Sequence, residues 1–209
     1  MKPDFKKNYC PDLFSWKDLT SIVNIRPLMD VVRVNVLNGP ECRWDNDPWT
    51  HNVNTWPPYL LKDVIENHIC YITEMSRCSE KVNEFAGSLE QEYNMQCDAH
   101  IYTCRNPEID HPFGIHFDYS DNVIVQCEGT TNFKVWKVWN EIGDHNQNHI
   151  NLEIDEEPII DVEMNPGDAI WIPRYHPHLA TSKSTRMSVS FPLYHRESKV
   201  FQDRNWIKL

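Results

Sequence analysis

HFDYSDNVIVQCEGTTNFKVW, residues 116–136, and MNPGDAIWIPRYHPH, residues 164–178, decide the reading of this chain. Both stretches are rich in β-branched and aromatic residues and are punctuated by turn pairs at Glu128-Gly129, Pro166-Gly167 and Arg174-Tyr175. The same rhythm extends outward on both sides. From Asp98 onward strand runs are expected at His100–Cys104, Asn122–Gln126, Asn132–Trp139, Ile159–Glu163, Ala169–Ile172 and Met187–Leu193, with further turns at Asn106-Pro107 and Gly143-Asp144. Short strands alternating with turns predict a mainly β fold, a double-stranded β-helix or jelly roll, in which a site lies between two sheets.

The first half of the chain reads differently. Ser15 stands as the N-cap of a helix with Asp18 in a capping-box position, and the pattern runs to about Asn24, before Pro27. Val31–Leu37 reads as a strand, Tyr59–Asn67 as a helix and Ile69–Thr73 as a strand. Over Glu80–Tyr93 the apolar residues Val82, Phe85, Leu89 and Tyr93 recur at helical spacing, which gives this helix one face to pack on a sheet. The expected organisation is one compact unit. Residues 1–97 form helices and strands that support the jelly roll, with the helices on its outer face; residues 98–194 form the jelly-roll core, and residues 195–209 a C-terminal tail.

The 209 residues suffice for one domain that buries its own core. No apolar run approaches the roughly 20 residues that span a bilayer. The opening MKPDFKKNYCPDLFSW has lysines but lacks the apolar centre of a secretory signal. Seven cysteines, irregularly spaced and without a Cys-x-x-Cys pair, exclude a disulfide framework and a zinc ribbon. Cys70, Cys104 and Cys127 read as small buried hydrophobes. A cytoplasmic location follows as the expectation. The formal net charge of -11 repels a phosphate backbone, so bulk nucleic acid is a poor partner.

His116 opens the first of the two strand-like runs and His178 closes the second, and with Asp118 they are two imidazoles and one carboxylate, the ligand set of a facial-triad iron site. On a regular strand residues two apart share a face, so His116 and Asp118 can chelate one ion while Phe117 turns away. A third ligand from a distant strand leaves about three of six positions open, as dioxygen and a bidentate cosubstrate require. By the same alternation His176 is a rival to His178.

These residues resemble the JmjC-type cupin family of iron(II) and 2-oxoglutarate dependent oxygenases, especially its ribosomal-oxygenase-like members and the asparaginyl hydroxylase of hypoxia-inducible factor. The likeness is carried by HFDYSDNVIVQCEG, NPGDAIWIPRYHPHLATS and SVSF. It implies a cupin fold with Fe(II) held by His116, Asp118 and His178. His178 is favoured over His176 because it stands five residues after Pro173, as the distal histidine does after the family's Ile-Pro. It also implies hydroxylation of a substrate C–H bond, a protein side chain first among the targets, with 2-oxoglutarate decarboxylated to succinate. Asn122 falls where the asparaginyl hydroxylase has an Asn near the cosubstrate; a turn or strand-edge amide is the alternative reading, of equal weight.

The chain departs from the pattern at one place. Fifteen residues after His116, where many members carry a lysine for the distal carboxylate of 2-oxoglutarate, it has Thr131. A hydroxyl does not supply the missing charge, and a buried dicarboxylate needs a cationic partner. Arg186, in an Arg-x-Ser element like that of other 2-oxoglutarate oxygenases, is one candidate and binds a carboxylate bidentately. Lys134 is the other, although odd spacing from Thr131 places it on the opposite strand face. Tyr102, Thr131 and Ser188 are candidate hydroxyl donors. Two alternatives stay open: a metal cupin enzyme that does not use 2-oxoglutarate, and a non-catalytic binding module.

Trp44, Trp49 and Trp56 either shape a substrate cleft or cap the jelly roll. The acidic run Glu153-Ile154-Asp155-Glu156-Glu157 reads as a solvated loop, and His145 and His149 as exposed. The tail Asp203-Arg204-Asn205-Trp206-Ile207 ends in an apolar anchor, to be seated on its own domain or across a homodimer.

Overall fold

The structure, a computed structural model, describes residues 1–24, 33–37, 58–106, 114–139, 151–182 and 184–195. Trp44, Trp49, Trp56, His145, His149 and the tail at 203–207 lie outside the described residues. In chain order come β1 (Asp4–Lys6), α1 (Trp16–Val23), β2 (Arg33–Leu37), α2 (Pro58–Asn67), β3 (Ile69–Thr73), α3 (Glu80–Tyr93), β4 (Gln96–Cys97) and β5 (His100–Cys104). They are followed by β6 (Asp121–Glu128), β7 (Thr131–Val135), β8 (Ile160–Met164), β9 (Ala169–Ile172), β10 (His178–Thr181) and β11 (Arg186–Tyr194).

The strands form two antiparallel sheets. The larger has the order β1-β9-β6-β11-β5-β3-β2, with β4 added to β11, and the smaller has the order β10-β7-β8. Neighbours that are distant in sequence, such as β9 beside β6 and β5 beside β11, are the mark of the jelly roll.

Each face of the large sheet meets a different partner because side chains alternate along a strand. One face carries Ile101, Val123, Val125, Trp171, Val189 and Phe191, and these bury Leu19 and Ile22 of α1 and Val82, Ala86 and Leu89 of α3. The other face carries Ile124, Ile170 and Ile172, which meet Phe133, Val135, Met164 and Ala180 of the small sheet. The helices therefore cover the outer face. The Ser15 cap forms as expected: its Oγ accepts from the Asp18 N–H at 3.2 Å and donates to Asp18 Oδ2 at 2.6 Å.

Phe191 is fully buried and meets Phe85 edge-on at 4.8 Å. Truncating such a side chain leaves a cavity that a packed sheet-helix interface fills poorly. Phe191→Ala should cost about 3–5 kcal/mol, read as a lower urea midpoint in equilibrium unfolding; a loss below about 1 kcal/mol would contradict this placement of the core.

Two motif elements prove to be scaffolding. Gln126 Nε2 donates to the carbonyls of Glu128 at 2.8 Å and Gly129 at 3.3 Å, which closes the β6–β7 turn. Gly129 has φ 64°, and a Cβ there would stand 1.8 Å from the Thr185 carbonyl oxygen, so glycine is required. Asp168 in Pro-Gly-Asp accepts from the backbone N–H of Asn165 at 2.9 Å and of Asn8 at 2.8 Å, which ties the turn before β9 to the N-terminal segment.

Several boundaries differ from the sequence expectation. β7 stops at Val135 rather than Trp139: the Trp136 N–H still donates to the Pro177 carbonyl at 2.9 Å, but Pro177 has no N–H to return the bond, and the Trp136 indole N–H goes to the Glu156 carbonyl at 2.7 Å. His178 does not close a run. The chain reverses at Tyr175, which has φ 64°, and Pro177 has no N–H to extend a ladder, so His178 opens β10. Nor does His116 open a strand. It makes an isolated bridge to His178, and the regular ladder of β6 begins only at Asp121.

Candidate metal centre

His116 and His178 are joined through their backbones before their side chains meet. The His116 N–H donates to the His178 carbonyl at 3.0 Å, and the His178 N–H returns a bond to the His116 carbonyl at 2.7 Å. This exchange brings the two rings to 4.2 Å between centroids. β10 is at the same time paired to β7, with His178 opposite Val135, so the distal histidine is fixed from both sides. The Asp118 carbonyl accepts from the Tyr175 N–H at 2.9 Å, which anchors the third member to the loop that precedes His178.

The ligand atoms of His116, Asp118 and His178 all lie within 4.8 Å of one another. Each imidazole has its Nδ1 against a backbone carbonyl, that of Gly114 for His116 and that of His176 for His178, both at 3.1 Å. A carbonyl only accepts, so the hydrogen is on Nδ1 and the Nε2 lone pair is left for an ion. His178 Nε2 stands 3.7 Å from Asp118 Oδ2, too far for a hydrogen bond. Two ligands on an octahedral ion with bonds of about 2.1 Å stand about 3 Å apart, so a small inward adjustment seats a divalent ion. The donor set fits iron(II).

Asn122 holds the carboxylate. Its Nδ2 donates to Asp118 Oδ2 at 2.6 Å, and its Oδ1 lies 3.5 Å from Ser190 Oγ. This leaves Asp118 Oδ1 as the oxygen free of that amide. His176 is outside the group; its Nδ1 faces the Arg174 carbonyl at 3.3 Å.

A cavity of about 40 Å³ opens on the triad and is lined also by Tyr102, Ile124, Phe133, Ala180, Ser188 and Ser190. A second of about 20 Å³ is lined by Thr131 and Arg186 together with Tyr102, Phe133, Ala180 and Ser188. These last four residues are common to both, so the two spaces adjoin. Arg186 is 6 % exposed. Alternation along β7 turns Thr131, Phe133 and Val135 inward, whereas Lys134 is directed out of the site to Asp161, 3.3 Å from its Oδ2. Lys134 lies outside both cavities.

The family model of the JmjC domain matches residues 72–200. The chain belongs to the JmjC domain family. No curated protein matches the sequence. Among solved structures, this JmjC chain is similar to Escherichia coli ribosomal oxygenase YcfD, with a TM-score of 0.59 and 18% identity over 97% of this chain and 50% of that one. The YcfD complex with cobalt and 2-oxoglutarate gives 0.56 and 17% over 97% and 50%, and the complex with cobalt and succinic acid 0.53 and 18% over 95% and 49%. The chain spans about half the length of these proteins.

Two further residue groups belong to the surroundings of the JmjC site. Ser190 lines the metal cavity; it repeats Ser188 at strand spacing, a signal open to inspection. Asp98, His100 and Tyr71 are buried, Tyr71 directly beside Tyr102, and their partners come from separate elements. The thiols take no part. Burial pushes the Cys70 thiol up to about 12 and raises those of Cys97 and Cys127, and none of the six cysteines among the described residues is in a disulfide. The acidic residues Glu153, Asp155, Glu156 and Glu157 are exposed, and no helix among the described residues is long and apolar enough to cross a membrane.

Proposed function

We propose that this chain is an iron(II) and 2-oxoglutarate dependent oxygenase that hydroxylates a C–H bond of a protein side chain. The observation that carries the reading is the junction of two spaces: a His-Asp-His triad whose ligand atoms lie within 4.8 Å of one another, and an adjoining recess that contains a buried arginine. A dicarboxylate with a keto group at one end matches that pair. In the reaction one oxygen atom enters the substrate as hydroxyl, and the other enters succinate as 2-oxoglutarate loses carbon dioxide. YcfD, whose fold this chain shares, is a ribosomal oxygenase, which supports a macromolecular rather than a small-molecule substrate.

His116, Asp118 and His178 would hold the iron, which when bound supplies the redox chemistry that activates dioxygen. The chain's own residues do the rest. Asn122 keeps one Asp118 oxygen occupied and so orients the carboxylate. Arg186 would neutralise the distal carboxylate, with Thr131, Ser188 and Tyr102 as hydroxyl partners around it. Phe133, Ala180 and Ile124 form the apolar wall that keeps water from the reacting groups.

The test is succinate formation from 2-oxoglutarate by iron-loaded protein, together with calorimetric titration of 2-oxoglutarate into protein loaded with Mn(II). Binding that depends on metal is the expected result. Metal uptake without any 2-oxoglutarate binding would reject this reading in favour of a cupin enzyme of other chemistry.

A further inference from the structure

Three buried polar side chains stand beside the residues that line the metal cavity, and the ligand sets above leave them without a role. Asp98, His100 and Tyr71 are each 7 % exposed. The Tyr71 hydroxyl is hydrogen-bonded to His100 Nδ1, and His100 Nε2 lies 3.1 Å from Asp98 Oδ2. The other oxygen of Asp98 accepts from the Ala99 N–H at 2.7 Å and from the Ser76 hydroxyl at 3.1 Å. Burial by itself raises the Asp98 pKa. The hydrogen bond and charge of His100, with the bonds from Ala99 and Ser76, outweigh it and hold the carboxyl below its ordinary range. A carboxylate tethers the imidazole, and the imidazole tethers the phenol.

Such a chain is costly unless each member is satisfied, and a hydrophobic core at this place would not need it. Its position relative to the site gives it a use. Tyr71 on β3 is directly opposite Tyr102 on β5, and Tyr102 is opposite Ser188 on β11. The Tyr71 ring meets His100 edge-on at 5.0 Å and the Tyr102 ring at 4.9 Å. His100 is opposite Ser190 in the same ladder. The row therefore runs from the tether to Tyr102 and Ser188, two of the four side chains that line both the metal cavity and the arginine recess.

We infer that Asp98, His100 and Tyr71 form a positioning relay that fixes Tyr102 at the junction of the two cavities and so sets how tightly the dicarboxylate cosubstrate is held. This rests on the oxygenase reading above. Tyr71 and His100 are positioning residues: they act through Tyr102.

Calorimetric titration of 2-oxoglutarate into the full chain loaded with Mn(II), with metal content measured alongside, tests the relay. Tyr71→Phe keeps the ring and removes the hydroxyl. It should weaken 2-oxoglutarate binding about tenfold, the scale of one hydrogen bond, and leave Mn(II) content unchanged. Tyr102→Phe should weaken binding as well, and the double variant should bind no more weakly than Tyr102→Phe alone, because the hydroxyl that the relay positions is already gone. His100→Gln, whose amide both donates and accepts, should bind within about threefold of wild type, whereas His100→Leu should resemble Tyr71→Phe. Additive losses in the double variant, or unchanged binding in Tyr71→Phe, overturn the relay and leave the oxygenase reading intact. Wild-type protein that takes up Mn(II) and binds no 2-oxoglutarate overturns that reading and the relay with it.

Discussion

Asp118→Ala is expected to leave a folded protein that has lost iron binding by well over about 100-fold and forms no succinate above background. Removal of an outer partner of a metal ligand commonly costs about 10–100-fold in affinity, and Asp118 is the only anionic member of the group itself. Without it two neutral imidazoles face the ion, and the charge that favours iron(II) over water is gone. The fold should tolerate the change, because the Asp118 side chain is 38% exposed and its main-chain tie to Tyr175 is made by the carbonyl, which alanine keeps. Metal content by mass spectrometry and thermal unfolding of the metal-free protein separate the two effects. Asn122→Ala provides the graded comparison. It removes the 2.6 Å bond to Asp118 Oδ2 and should weaken iron by about tenfold with activity retained at saturating metal. Wild-type iron content in Asp118→Ala would remove this carboxylate from the site.

The sequence shows the triad's members because three chemical groups at the right turns stand out against their neighbours. It does not show how they are held. A regular strand through His116 and Asp118 would explain their shared face, yet the structure holds them by an isolated bridge to His178 and a bond from Tyr175, partners that are distant in sequence. β10 is obscured for a related reason. Four residues, His-Leu-Ala-Thr, carry too little pattern to declare a strand, and their pairing with β7 is decided by Pro177 and the reversal at Tyr175. Alternation within one strand, by contrast, is local and legible: that Thr131 and Lys134 take opposite faces follows from spacing alone, while burial against the facing sheet decides that Thr131 is the inward one. The Asp98-His100-Tyr71 chain was invisible because its contacts join β3, β5 and the turn before β5, so no single window of sequence contains them. Local periodicity reports which face a side chain takes, while the meeting of faces belongs to topology.

Arg186→Leu should raise the dissociation constant for 2-oxoglutarate by about 100-fold while Mn(II) content stays at the wild-type level. Loss of one member of a buried, hydrogen-bonded charge pair at a binding site costs about 2–5 kcal/mol, and 1.4 kcal/mol is tenfold. Arg186 is 6 % exposed and lines the recess next to the metal cavity, whereas Lys134 is directed to Asp161 on the outside. Lys134→Ala should therefore leave the titration unchanged. The departure at position 131 then becomes an experiment. Thr131 is 5% exposed, lines the same recess as Arg186 and belongs to the facing sheet. A lysine there approaches the same volume from the opposite wall. In the Arg186→Leu background, Thr131→Lys should recover part of the lost affinity, about tenfold, since an ammonium replaces the charge but not the two-pronged geometry of a guanidinium. In the wild-type background the same substitution should weaken binding, because it puts two cations in one small recess. Opposite effects of one substitution in two backgrounds are what a shared anion site requires, and equal effects in both would show that positions 131 and 186 do not serve the same carboxylate.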